Sequence, residues 1–205
     1  ANGNENLKFI LNGVEMQTYV DPSVNLLDYL RRLHLFGVKN GCREGDCGMC
    51  TVLVDGKPIR SCMVKAVSVH GHEVVTVEGL QQNGKMHPVQ QAFYETGAIQ
   101  CGFCTPAQML TAKALLDENS KPTEDEIRDA LNGVLCRCTG YVRIVDAVKR
   151  ASAMINGEAV GPVEVLQKTL PEDLDAVELP APYYRKDNFR GCLLYTSPSP
   201  RDRTR

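Results

Sequence analysis

Eight of the nine cysteines fall into two sets, and this arrangement limits what the chain can fold into more than any other feature of its sequence. The first set has the spacing C-x4-C-x2-C inside the stretch GCREGDCGMC, with a fourth cysteine after eleven further residues. The second set has a C-x2-C pair followed, after 31 residues, by a C-x-C pair. The first set is Cys42, Cys47, Cys50 and Cys62, and the second set is Cys101, Cys104, Cys136 and Cys138. A fold for this chain therefore has to gather thiols from distant parts of the sequence.

The N-terminal stretch ANGNENLKF lacks the charged, apolar and small-residue regions of a secretory signal peptide. We therefore predict a cytoplasmic protein, in which clustered cysteines indicate metal binding or redox chemistry and not disulfides. Because residue 1 is Ala and not Met, a targeting sequence further upstream stays open.

Composition argues against two classes of partner. The formal net charge of −2 and the absence of Trp provide neither a basic field nor a strong stacking surface for nucleic acid. No apolar run approaches the roughly 18 residues of a membrane-spanning helix. We expect no nucleic acid partner and no membrane span.

The first eighty or so residues are predicted to form a small α+β unit. Asn12-Gly13 and Asp55-Gly56 each separate two apolar runs, and both dipeptides are typical of tight β-hairpins. Asp21-Pro22-Ser23 is predicted to cap and begin an amphipathic helix. The predicted strands are residues 7–11, 14–20, 51–54, 57–62 and 73–77.

From about Met86 the apolar residues recur at helical spacing. Thr105-Pro106 begins one predicted helix, and Thr123 with Glu126 forms a capping box for the next. The predicted helices are residues 87–96, 105–119, 123–133 and 140–155, the last with Val142, Val145, Val148, Ala151 and Ile155 on its apolar face. Four such helices with short connections predict a four-helix bundle.

These patterns divide the chain into an N-terminal domain, residues 1–82, and a helical domain, residues 83–155. Residues 156–190 are rich in acidic residues and contain several prolines, and we interpret this segment as a linker. Residues 191–205, GCLLYTSPSPRDRTR, match nothing before them, and we interpret them as a non-native tail.

The first cysteine set has the plant-type spacing for a [2Fe–2S] cluster. Gly41, Gly45 and Gly48 remove Cβ atoms from the loop that would surround the irons and sulfides. The alternative, a zinc site, prefers tighter cysteine pairs on both sides.

Taken alone, the second set is less specific, because four thiolates from two loops also suit tetrahedral zinc. Its two pairs precede the second and fourth predicted helices, so they can meet at one end of the bundle. The N-termini of helices there favour the negative charge of a thiolate-ligated cluster.

The stretches GCREGDCGMC, QCGFCTPAQ and CRCTGY, in this order, resemble the iron–sulfur subunit or domain of the molybdenum hydroxylases, the xanthine dehydrogenase and aldehyde oxidoreductase family. The resemblance covers roughly residues 7–155. It implies an α+β architecture: an N-terminal β-grasp ferredoxin domain with one [2Fe–2S] cluster, followed by an all-α four-helix bundle with another.

The same resemblance implies a function and partners. The chain would relay single electrons from a molybdopterin centre, held by a large subunit or domain, through two [2Fe–2S] clusters. The acceptor would be a flavin, in some members FAD on a further subunit, or an external acceptor. The chain would be part of an oxidoreductase without being catalytically complete alone.

Site residues follow from the resemblance position by position. The eight cysteines of the two sets match the cluster ligands, Gln100 matches a position that contacts the pterin, and Cys138 lies where the bundle cluster approaches that cofactor. Ala107 stands where many members have Gly, a change that a helix tolerates. No catalytic residue is expected in this chain.

Several alternatives stay open. The chain could be an autonomous ferredoxin-like iron–sulfur module or sensor without a molybdenum partner, although a simple ferredoxin needs no second set of four cysteines. The linker favours a fragment of a longer polypeptide over a free-standing small subunit. The sequence selects neither the substrate nor the terminal acceptor.

Overall fold

A computed structural model describes residues 3–161. The strands are β1 (Glu5–Leu11), β2 (Val14–Val20), β3 (Thr51–Val54), β4 (Lys57–Arg60) and β5 (Glu73–Val75). The α-helices are α1 (Leu26–Arg32), α2 (Pro88–Glu95), α3 (Thr105–Glu118), α4 (Glu124–Leu131) and α5 (Val142–Ile155). Residues 162–190 of the predicted linker and the predicted tail, residues 191–205, lie outside the described residues. Within the described range, the helices are too short or too polar to cross a membrane.

Two tight hairpins organise the strands, as predicted. Asn12 and Gly13 have φ angles of 51° and 80°, and Asp55 and Gly56 have φ angles of 48° and 78°. Positive φ at both central residues is the requirement of the type I′ turn, which matches the twist of the strands on either side. The five strands form one mixed sheet in the order β2-β1-β5-β3-β4, in which β1 and β5 are parallel.

The N-terminal core lies between this sheet and helix α1. Leu7 and Phe9 alternate with exposed residues along β1, so one face of the strand is buried. That face packs against Leu26 and Leu30 of α1, all within one apolar cluster. Burying a Leu or Phe side chain stabilises a fold by about 1.5–3 kcal/mol, so this face holds α1 on the sheet.

The prediction that Asp21-Pro22-Ser23 begins α1 is wrong. The carboxylate of Asp21 accepts the Ser23 N–H at 2.8 Å and closes a turn before the helix. The N-cap is Asn25, whose side chain accepts the Asp28 N–H at 2.8 Å. Asp and Asn both favour turns and N-caps, and here Asp21 closes the turn while Asn25, which the sequence analysis did not consider, caps the helix.

Two strands are shorter than predicted. Strand β4 ends at Arg60, and Cys62 lies in a 3-10 turn, Ser61–Met63, rather than in the hairpin. The Ser61 hydroxyl donates to the Cys50 carbonyl at 2.7 Å, which turns the chain back toward the first cysteine loop. Strand β5 ends at Val75 and is followed by another 3-10 turn, Val77–Gly79.

Helices α2 to α5 pack around a second apolar core. Helix α3 is buried on most of its surface, which makes it the central helix. The predicted apolar face of α5 is correct at Val145, Val148 and Ala151, whereas Val142 and Ile155 are exposed. Ile144 and Ala147 are buried as well, so the buried face of the helix consists of these two residues and the three that were predicted correctly. The two ends of α5 extend past the core that its centre covers.

Strand β3 separates the two cores. Val52 belongs to the core beneath α1, while its neighbour Leu53 belongs to the core of the helices. Successive side chains of a strand point to opposite faces, so one short strand contributes to both. The sheet is therefore covered by helices on two sides.

Gly48 allows the first cysteine loop to approach the helical part closely. A Cβ atom at Gly48 would lie 2.0 Å from the carbonyl oxygen of Gly133 and 2.9 Å from the Val134 Cα atom. The φ angle of Gly48 is 71°, in the left-handed region. Both the conformation and the close approach therefore require glycine.

Replacing Gly48 with Ala is expected to lower the free energy of unfolding. The decrease should exceed the cost of placing a residue with a Cβ atom in the left-handed conformation. That conformation costs about 1–2 kcal/mol for a residue with a Cβ atom, and overpacking against backbone adds about 1–3 kcal/mol. The measurement is the free energy of unfolding by denaturant.

Gly56→Ala is the matched control, because Gly56 has a φ angle of 78° and open space where its Cβ atom would be. Equal destabilisation in the two variants would contradict the close contact at Gly48.

His87 caps helix α2 through its imidazole. Its Nδ1 atom accepts the Val89 N–H at 3.2 Å, and the Gln90 side chain accepts the His87 N–H at 3.0 Å. Burial lowers the pKa of His87 below its ordinary value of 6.5, and the nearby Lys113 lowers this pKa further. Only the neutral ring can accept this hydrogen bond, so the cap depends on pH.

Stability is expected to fall as the pH drops below about 6.5, the ordinary pKa of His. The unfolded chain then takes up a proton that folded His87 resists, so the loss continues down through the lowered pKa of the folded state. His87→Asn keeps a capping oxygen but does not titrate. Its melting temperature should decrease less than that of the wild type between pH 7.5 and 5.5. Parallel profiles would show that the cap does not titrate in this range.

Candidate metal centres

The first cysteine set is held by a loop between α1 and β3 and by the turn after β4. Backbone N–H groups in this loop point at sulfur. Those of Glu44 and Cys47 donate to Cys42 Sγ at 3.3 and 3.4 Å, and that of Cys42 donates to Cys47 Sγ at 3.3 Å. The hydrogen bonds from the N–H groups of Cys47 and then Glu44 lower the pKa of the Cys42 thiol to about 7. The loop therefore favours the thiolate, the form that binds metal.

Gly41 makes room for one of these sulfur atoms. A Cβ atom at Gly41 would lie 2.6 Å from Cys47 Sγ. The loop backbone can approach the thiols this closely only because the side chain is missing.

The thiols of the first set form two pairs. The backbone N–H groups of Cys42 and Cys47 each donate to the sulfur of the other residue, while Cys50 is the thiol that most affects the pKa of Cys62. Burial and then the neighbouring Cys50 raise the pKa of Cys62 to about 11. One side of this centre is exposed at Cys42, and the other is covered at Cys50.

The second set gathers at one end of the helices. Cys104 is the N-cap residue of α3, and Cys101 lies in the loop before it. Cys136 and Cys138 lie in the connection between α4 and α5. Cys138 Sγ is 3.6 Å from Cys101 Sγ and 4.0 Å from Cys136 Sγ. The structure thus brings together two cysteine pairs that 31 residues separate in the sequence.

Local contacts give these thiols different acidities. Burial and then the adjacent Cys136 raise the pKa of Cys104 to about 12. Burial also opposes ionisation of Cys136, but hydrogen bonds from Thr139, Cys138 and Cys104 together outweigh it, and the pKa of Cys136 falls to about 7. Of Cys104 and Cys136, Cys136 therefore accommodates negative charge more easily.

The distances between sulfur atoms in the second set are those expected of thiolates that share a metal group. Two thiolates on one tetrahedral metal, with metal–sulfur bonds of about 2.3 Å, lie about 3.8 Å apart, close to the 3.6 Å between the Cys101 and Cys138 sulfurs. Within residues 3–161, no three His, Cys, Asp or Glu side chains converge on the position of a single ion. A [2Fe–2S] cluster has four cysteine ligands divided between two irons, so the residues present fit it.

The two centres are linked directly. Cys47 of the first set lines a cavity of about 390 Å³ together with Cys101, Cys104, Cys136 and Cys138 of the second. The Leu135 N–H donates to the Cys47 carbonyl at 3.0 Å. Leu135 precedes Cys136, so one hydrogen bond joins the backbones that carry the two sets.

Gln100 and Cys138 lie on the exposed edge of the second centre. Apolar side chains surround this edge, since Phe103 is 46% exposed and Leu135 is 55% exposed. Large apolar groups in such positions are typical of a surface that contacts another molecule.

Several supporting residues were missed by the sequence analysis. Gln108 is fully buried in α3, and its side-chain N–H donates to the Val134 carbonyl at 2.8 Å. Its Oε1 atom has no hydrogen-bond partner among the described residues. Thr139 and Tyr141 contact Cys136. The only sequence indication was their position within CRCTGY, beside two predicted ligands.

Two family models match the chain in succession. Residues 9–76 match a 2Fe-2S iron-sulfur cluster binding domain, and residues 76–149 match a [2Fe-2S] binding domain. Together they cover both cysteine sets.

Two of the similar proteins are named as iron–sulfur subunits of dehydrogenases. The nicotinate dehydrogenase small FeS subunit of Eubacterium barkeri is 48% identical, with 69% of this chain covering 90% of that protein. The xanthine dehydrogenase iron-sulfur-binding subunit of Escherichia coli O157:H7 is 47% identical, over 67% of this chain and 88% of the relative.

A solved structure extends the comparison to a longer polypeptide. The aldehyde oxidoreductase of Desulfovibrio desulfuricans ATCC 27774 superposes with a TM-score of 0.73 at 44% identity. The match covers 76% of this chain but only 18% of the oxidoreductase.

These matches agree with the geometry of the thiols. The chain contains two [2Fe–2S] binding domains and is the iron–sulfur part of an oxidoreductase. It belongs to the iron–sulfur subunits and domains of the molybdenum hydroxylase family.

Proposed function

We propose that this chain is the electron-transfer component of a molybdenum hydroxylase, placed between a molybdopterin-containing partner and a flavin or external acceptor. The observation that carries the proposal is the hydrogen bond between Leu135 and Cys47, because it joins two thiol sets that would otherwise be independent. The eight cysteines without disulfides among the described residues favour a cytoplasmic location.

In this proposal, residues 1–82 are a β-grasp domain and residues 83–155 are a four-helix bundle. The mixed sheet covered by α1 supports the first assignment, and the shared core of α2 to α5 supports the second. The cluster ligands are the eight cysteines of the two sets.

A bound [2Fe–2S] cluster supplies one-electron transfer at a potential set by hydrogen bonds to sulfur, net charge and exposure. The protein orients the ligands and excludes water from one side of each site. Cys50 and Cys104 are buried, while Cys42, Cys101 and Cys138 are exposed. Each centre thus has a covered side and an accessible side.

The edge at Gln100 and Cys138 is the proposed contact with the molybdopterin-containing partner. Phe103 and Leu135 supply apolar area beside it, and Gln100 supplies an amide that can pair with a polar heterocycle. The relative from Eubacterium barkeri is named as the small FeS subunit of a nicotinate dehydrogenase, which supports a larger partner for this chain.

The edge at Cys42 is the proposed side of the flavin or external acceptor. Met63, which is 62% exposed, lies close to Gly45 of the same loop, and Glu44 and Asp46 add negative charge. An acceptor docked here would contact the first centre without covering the second.

Two assembled clusters are expected in the isolated protein. Anaerobic purification, iron and sulfide analysis, and electron paramagnetic resonance (EPR) after dithionite reduction should give four irons, four sulfides and two signals, since each [2Fe–2S] cluster contributes two of each ion. Cys62→Ala and Cys101→Ala should each lose a different signal. Two irons with one signal, alongside bound zinc, would contradict the assignment of the second set.

Cys192→Ser is the control for these variants, because Cys192 belongs to neither set. This variant should keep the full iron content and both signals.

Gln100→Ala is expected to slow reduction of the second centre by substrate in the assembled enzyme, because the amide would no longer pair with the pterin. Rapid-freeze EPR follows that signal directly, and the iron content should not change. Gln81→Ala, an exposed glutamine in another loop, serves as the control. An unchanged rate in Gln100→Ala would remove Gln100 from the partner contact.

A further inference from the structure

The hydroxyl of Thr139 contacts a proposed cluster ligand. Thr139 Oγ1 lies 2.9 Å from Cys136 Sγ. The same oxygen accepts the Tyr141 N–H at 3.2 Å. One lone pair is thereby occupied, and the hydroxyl hydrogen is free to point at sulfur. A metal-bound cysteine is a thiolate without a proton, so in the loaded protein the hydroxyl is the donor.

Tyr141, which helps to hold Thr139 and Cys136 in place, has a strained backbone conformation. Its backbone angles, φ 67° and ψ −16°, lie in the left-handed region, which an aromatic residue seldom adopts. Its phenol oxygen accepts the Cys136 N–H at 2.8 Å and donates to the Val134 carbonyl at 3.3 Å. Strain of this kind persists where several contacts determine one conformation, often at a functional site. Tyr141 therefore fixes both the Cys136 backbone and the Thr139 side chain.

The first centre has a different set of donors. Backbone N–H groups of the loop donate the hydrogen bonds to the sulfur atoms of Cys42 and Cys47. Among residues 3–161, Thr139 provides the one side-chain hydroxyl that contacts a sulfur of either set. The second centre therefore has a sulfur hydrogen bond that a single substitution can remove.

We propose that Thr139 is a positioning residue that raises the reduction potential of the second centre by donating a hydrogen bond to Cys136 Sγ. This inference rests on the proposed function, since it assumes a cluster at the second set. A donor at sulfur stabilises the reduced cluster, which carries one more negative charge than the oxidised cluster. The chain thereby makes its partner-facing centre easier to reduce.

The test is a redox titration of the full chain with both clusters, followed by EPR. Thr139→Val has nearly the same shape and lacks the hydroxyl, so the midpoint potential of the second centre should shift downward. The first centre should keep its potential. Thr139→Ser retains a hydroxyl and should restore most of the potential of the wild type. Iron content should be equal in all three proteins.

Thr18→Val makes the same exchange on strand β2, outside both cysteine sets, and should shift neither potential. If Thr139→Val loses its second cluster, Thr139→Ala replaces it in the comparison with Thr139→Ser. An unchanged potential without the hydroxyl, an equal shift in Thr139→Ser, or a parallel shift of both centres would overturn the inference. Absence of a second signal in the wild type would instead overturn the proposed function.

Discussion

The hydrogen bond from the Leu135 N–H to the Cys47 carbonyl is the contact on which the arrangement of the two centres depends. It requires the loop of the first set to lie against the backbone between α4 and α5, and Gly48 permits that approach. Gln108, buried in α3, fixes the Val134 carbonyl one residue away. A neutral hydrogen bond adds only about 1 kcal/mol to stability, so the main consequence of this contact is geometric. It sets the separation of two groups of thiols that come from different folding elements.

A cluster of thiolates is costly to gather unless its negative charge is compensated, and the two cysteine sets differ in the groups that surround their sulfur atoms. In the first, three backbone N–H groups point at the sulfurs of Cys42 and Cys47. In the second, Cys104 lies in a buried position that opposes ionisation, and among the described residues only Cys136 is contacted by a side-chain hydroxyl. A metal cluster neutralises part of this charge, so cluster binding and the folding of this end of the helices are coupled.

The sequence predicted those parts of the molecule that depend on short-range chemistry. Both hairpins follow from Asn-Gly and Asp-Gly pairs, and the capping box at Thr123 follows from its spacing to Glu126. One error is local, since Asp21 closes a turn and Asn25 caps α1, and the other errors occur where tertiary contacts decide. Cys62 leaves the strand because Ser61 bonds back to Cys50. Thr139 and Tyr141 were missed because their partners become visible only when the connection before α5 folds back on itself.

Strand β3 makes the two cluster domains mechanically dependent on each other. A boundary at residue 82 separates two cysteine sets along the chain, yet Leu53 contributes to the apolar core of the helices. Cutting the chain at that boundary would expose this side chain and the buried face of α3 that covers it. The described residues accordingly belong to one compact unit. Strand β3 begins at Thr51, directly after Cys50, so the strand that anchors Leu53 in the helical core also ends the loop of the first centre. The same packing that keeps the two parts together therefore fixes where the loop of the first cysteine set lies relative to the helices.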